Sequence, residues 1–152
     1  MDGTAVLPVK ASGKIIQQAD ILLVQPNDDV ALNWRDSLLD FGMTKVRVAA
    51  TSAETLEAVN VVAPSCIVVA LPVLDEAFAL METLARDRDD QVRDIPVLLV
   101  ADQPSRATEL TATDAGFEAV LAGPVSPRQI YRRAASLIQR ARVSARAQKM
   151  AN

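Results

Sequence analysis

Five short apolar runs punctuate this chain, each followed by a longer segment of mixed polarity. They occupy residues 20–24, 45–49, 65–70, 95–100 and 119–122. Four are nearly continuous in Ile, Leu, Val, Ala and Cys, the pattern of strands buried on both faces of a parallel sheet. The run at 45–49 alternates charge with valine, as expected of an edge strand.

The intervening segments read as helices. The first opens at Pro26-Asn-Asp-Asp29, carries Val30, Trp34, Leu38 and Phe41 on one stripe, and stops at Gly42. The second opens on Thr51-Ser-Ala-Glu54, a capping box, and ends before Pro64. Phe78, Met81 and Leu84 mark the third, and the fourth runs from Pro104-Ser105 to Gly116. The fifth has the clearest start: Ser126 as N-cap, Pro127 at the first helical position, and Gln129 completing the box. Strand–helix alternation repeated five times predicts an α/β fold, a doubly wound (βα)5 flavodoxin-like three-layer sandwich on a five-stranded parallel sheet. The chain divides into a flexible lead-in (1–18), this domain (19–142) and a basic tail extending helix five (143–152). Ligands of such sheets bind at the carboxyl ends of the strands.

With 152 residues the chain has room for one domain and little more. It contains no histidine, which excludes His-based triads, imidazole zinc sites and histidine phosphotransfer. The single cysteine, Cys66, rules out an internal disulfide and reads as a small core residue. No apolar run approaches the ~18–20 residues of a membrane span, and the N-terminal region lacks the apolar stretch of a secretory signal. These features point to a cytoplasmic protein.

This layout resembles the receiver domain of bacterial two-component response regulators, across residues 19–142. The resemblance rests on Ile21-Leu-Leu-Val24, Pro64-Ser-Cys-Ile-Val-Val-Ala70, Asp94-Ile-Pro-Val-Leu-Leu-Val100 before Asp114-Ala-Gly116, and Val120-Leu-Ala-Gly-Pro124 before Ser126-Pro-Arg-Gln-Ile130. It implies self-phosphorylation on an aspartate after strand three. In that chemistry an acidic pair after strand one helps hold Mg²⁺. A hydroxyl after strand four and a lysine after strand five neutralise the phosphoryl oxygens. Here the acidic pair is replaced by Gln25-Pro26, the hydroxyl by Ala101 and the lysine by Gly123. The switch aromatic of the family becomes Val120. Three registers are open for the nucleophile, at Val68, Val69 or Ala70, and none supplies a carboxylate. The expected protein is a pseudo-receiver, not an enzyme, without a cofactor or metal. Asp28, Asp29, Asp75 and Glu76 stand where helix dipoles favour acids, a simpler account than a rebuilt metal site.

Charge is divided along the chain. Beyond Glu118 come seven basic residues and no acidic one, so residues 1–118 carry −10 against +7 for the rest. Arg128, Arg132, Arg133, Arg140, Arg142 and Arg146 are therefore candidate ligand- or partner-binding residues. Arginine grips phosphate and carboxylate in bidentate fashion. Two functions follow. One is a protein-interaction or adaptor module of bacterial signalling. It would use a face built from helix four, strand five and helix five (Arg106, Val120, Tyr131), which could also make a homodimer. The alternative is a sensor of a cyclic dinucleotide or another phosphate ligand through the arginine-rich helix. The aromatic interleaving of single-strand binders is missing, which disfavours nucleic acid.

Overall fold

The computed structural model describes residues 17–86 and 94–151. Five strands, β1 (Asp20–Val24), β2 (Lys45–Ala49), β3 (Cys66–Val69), β4 (Val97–Asp102) and β5 (Ala119–Gly123), form one parallel sheet in the order β2-β1-β3-β4-β5. Five helices, α1 (Asp28–Asp40), α2 (Ser52–Val61), α3 (Leu74–Arg86), α4 (Arg106–Ala115) and α5 (Pro127–Ala151), alternate with them. This is the (βα)5 doubly wound, flavodoxin-like three-layer sandwich anticipated from the alternation. The expected lead-in lies almost wholly outside the described residues; of it, Gln17 and Gln18 are helical.

Side-chain alternation on the strands sorts the core into two layers. Leu22 and Val24 of β1 join Ile67, Val69 and Leu99 beneath α2, α3 and α4, which contribute Val59, Leu80 and Ala112. Ile21 and Leu23 point the other way, joining Val68 and Leu98 beneath α1 and α5, which contribute Trp34, Leu38, Ile130 and Ile138. Strands β1 and β3 are buried on both faces, hence their unbroken apolar sequence. Strand β2 lies at the edge of the sheet, as its alternation predicts.

The helix boundaries follow their caps. Asn27 caps α1 by accepting from the Val30 N–H at 3.1 Å, with Asp28 and Asp29 in the first turn. Thr51 accepts from the Glu54 N–H, and the Glu54 carboxylate reaches back to the Ala50 N–H, both at 3.1 Å. At α5, Ser126 and Gln129 close the reciprocal box at 2.7 and 3.2 Å. Gly116 ends α4 at φ +113°, a left-handed conformation that favours glycine. Strand β4 starts two residues later than its apolar run, because Pro96 has no N–H to give the ladder. Its carbonyl still accepts from the Ile67 N–H.

Candidate functional site

At the carboxyl end of the sheet, the loops leaving β1, β3, β4 and β5 surround an open depression of about 800 Å³. Gln25 and Pro26 follow β1, Ala70 to Pro72 follow β3, and Ala101 and Asp102 end β4. Gly123, Pro124 and Val125 come from β5 and the turn into α5. Val30, Asn33 and Trp34 of α1 also line it.

The structure thus gathers Gln25, Pro26, Ala70, Ala101 and Gly123 around one depression. It also separates the three nucleophile registers. Val68 and Val69 are buried in opposite layers of the core, and Ala70 alone reaches the depression. The surroundings are close to neutral. Gln25 turns its amide oxygen back to accept from the Asn27 N–H at 3.0 Å, a local turn contact. Asp102 is the one ionisable group in the lining. Asp28, Asp29, Asp75 and Glu76 lie exposed in the first turns of α1 and α3 and take no part in the wall. Among the described residues, no group of three His, Cys, Asp or Glu could hold a metal ion.

Gly123 is not forced by crowding. A Cβ built there would meet the Ala101 carbonyl and Asp102 Cα at 3.5 Å, ordinary van der Waals separations. The Gly123–Pro124 peptide is cis.

The arginines do not converge. Arg128 and Arg146 lie eighteen residues apart on one helix, about 27 Å at 1.5 Å per residue. Spacing at 100° per residue puts Arg128, Arg132, Arg142 and Arg146 on one side and Arg133 and Arg140 on another. The helix leaves the core after Ile138, and residues 142–150 are exposed throughout. Arg140 borders a second, smaller groove of about 230 Å³ with Asp94 and Glu118, where the chain enters β4 and β5. Arg140 and that groove thus stand at the opposite end of the sheet from the neutral depression.

Arg106, Val120 and Tyr131 stand on three successive elements, α4, β5 and α5, with β5 at the edge of the sheet. Arg106 opens α4 in an exposed position, and Val120 packs on the layer under α2, α3 and α4. Tyr131 belongs to the opposite layer, against Phe41 of α1 with ring centroids 5.3 Å apart. The Arg128 guanidinium lies 5.7 Å from the centroid of the same Phe41 ring. This aromatic–cation cluster between α1 and α5 escaped the sequence reading, which had no means of registering one helix against the other. Cys66 is fully buried, and burial pushes its thiol up to about 12.

No protein-family model matches the chain, and no curated protein matches it. Solved structures do share its fold. NtrX from Brucella abortus superposes with a TM-score of 0.76 at 18% identity, over 87% of this chain and 29% of that one. The receiver domain of the Francisella response regulator 1452 gives 0.71 at 19% identity, over 81% of this chain and 98% of its own. Chemotaxis protein CheY4 of Vibrio cholerae gives 0.69 at 20% identity, covering 81% and 98%. The chain therefore spans a whole receiver-type domain but under a third of NtrX. At these identities the likeness establishes a receiver-like fold.

Proposed function

We propose that this is a pseudo-receiver: a domain that keeps the receiver fold, takes no phosphoryl group, and serves as a protein-interaction module in bacterial signal transduction. One observation carries the reading. The residues converging at the carboxyl end of the sheet are Gln25, Pro26, Ala70, Ala101 and Gly123. None of them can act as a nucleophile, hold Mg²⁺ by a carboxylate, or neutralise a phosphoryl oxygen with a cation. The wall's remaining acid, Asp102, follows Ala101 on β4 and has no carboxylate neighbour in the wall. Incubation with acetyl phosphate and Mg²⁺, followed by intact-mass measurement, tests this directly. The expected spectrum is unchanged, and a stable phosphoryl adduct would overturn the reading. The protein partner is to be sought in the cytoplasm, by pull-down from native cells.

A second reading has its own observation. Arg140, Arg142 and Arg146 are exposed on the overhanging part of α5, with no ion pair among the described residues. Such a cationic arm suits a phosphate-bearing ligand such as a cyclic dinucleotide. Calorimetric titration with cyclic dinucleotides, and with Arg140→Ala and Arg142→Ala variants, distinguishes the two. Binding heat lost in both variants supports the sensor, and absence of heat removes it.

A further inference from the structure

We infer that the depression at the carboxyl end of the sheet is a binding site for a small organic cation, an amine carried on an apolar or aromatic body. Its volume of about 800 Å³ falls within the range of small-molecule pockets. Its wall combines Trp34, Leu71, Pro72 and Val125 with the amides of Gln25 and Asn33. An apolar body gains burial against the first group, and the amides can orient it. Charge decides the class. The lining holds one carboxylate, Asp102, and no lysine or arginine, so an anion finds no counter-charge. A metal ion finds a single carboxylate where it needs several oxygen ligands. An ammonium group set against Asp102 satisfies both partners. Asp102 ends β4 in an exposed position at the wall of the depression. This inference rests on the reading that the depression no longer takes a phosphoryl group. Phosphoryl labelling tests that reading, and amine binding tests this one, so either can fail alone.

Trp34 is the chain's only tryptophan and stands in the wall, so its emission reports occupancy without a label. The probe is 2-phenylethylamine, with 3-phenylpropionate as its anionic counterpart. The amine should quench Trp34 in a saturable manner at millimolar concentration or below, while the carboxylate should not. Asp102→Asn should weaken the amine about three- to fivefold, the worth of one exposed charge pair. Ala70→Phe, which fills the depression from β3, should abolish saturation. Calorimetry on the same samples checks that quenching is binding. No saturation by the amine up to about 10 mM would overturn the inference. Equal affinity for the carboxylate, or an unaltered response in Asp102→Asn, would do the same.

Discussion

Arg47 on edge strand β2 donates through Nε to the Asp20 carboxylate on β1 at 2.9 Å. The same guanidinium donates to the carbonyls of Ala58 and Val62 at 2.7 and 2.8 Å. One side chain thus ties two strands to the end of α2, where orphan carbonyls need donors. The carboxylate is only 15% exposed and the guanidinium 29%, so solvent screens the pair less than a surface one. Arg47→Ala should lower unfolding stability by about 2 kcal/mol in urea titration. Arg47→Lys should recover little, because one ammonium cannot span three acceptors. Asp20→Asn should cost less than Arg47→Ala, since both carbonyl contacts remain.

Cys66 provides a pH test. Its thiol titrates at an ordinary 9.0 when unfolded and at about 12 when folded. The raised folded value means its stabilising contribution is complete below about pH 9 and is lost as pH rises towards 12. Stability measured by denaturant should therefore fall over that window, and Cys66→Ala should remove this part of the fall. Thiol labelling at neutral pH should proceed only as fast as the protein opens.

Three glycines separate backbone strain from space. Gly42 at φ +115° has nothing within 4 Å of a built Cβ, whereas Gly116 at +113° has Met81 Cε at 3.3 Å. Gly42→Ala should cost about 1 kcal/mol from conformation alone. Gly116→Ala should cost the same plus a small increment for moving Met81, an increment that Met81→Ala removes. Gly123→Ala should be neutral or stabilising by up to about 1 kcal/mol, since its φ is ordinary and a Cβ there meets its neighbours at ordinary contact distances. Thermal melts of the four variants decide the order.

Arg142 and Arg146 are exposed and unpaired among the described residues, so Arg142→Ala and Arg146→Ala should leave stability within about 0.5 kcal/mol. Any loss of partner or nucleotide binding in these variants is then a loss of contact and not of fold.

The sheet was legible because its signals are local. Unbroken apolar runs, reciprocal caps at Thr51 and Ser126, and the stops at Gly42 and Gly116 each act within a few residues. The edge placement of β2 was visible in the alternation of Lys45 and Arg47 with valine. The site was legible in part. Strand ends could be counted, but the loop after β3 could not be registered until Ala70 was seen to reach the depression while Val68 and Val69 turned into separate layers. What sequence could not convey was rotation of one element against another. The ring of Tyr131 packs on Phe41 at the end of α1, a contact that its place on α5 does not announce. The role of Arg47 was equally hidden, because its three partners are scattered over about forty residues of chain.

Helix α5 carries a further consequence. Its last fully buried side chain is Ile138, and the thirteen residues from 139 to 151 continue for about 20 Å at 1.5 Å each. A helix of that length is marginal alone, because starting one is the unfavourable step. Here residues 127–138 have already taken that step against the core. The arm therefore needs only elongation, and its cations stand in a fixed spiral before anything touches them. Whatever grips the arm meets a preorganised surface. Loosening the packing of Ile130, Leu137 or Ile138 would weaken that grip from a distance, without altering a single contact residue.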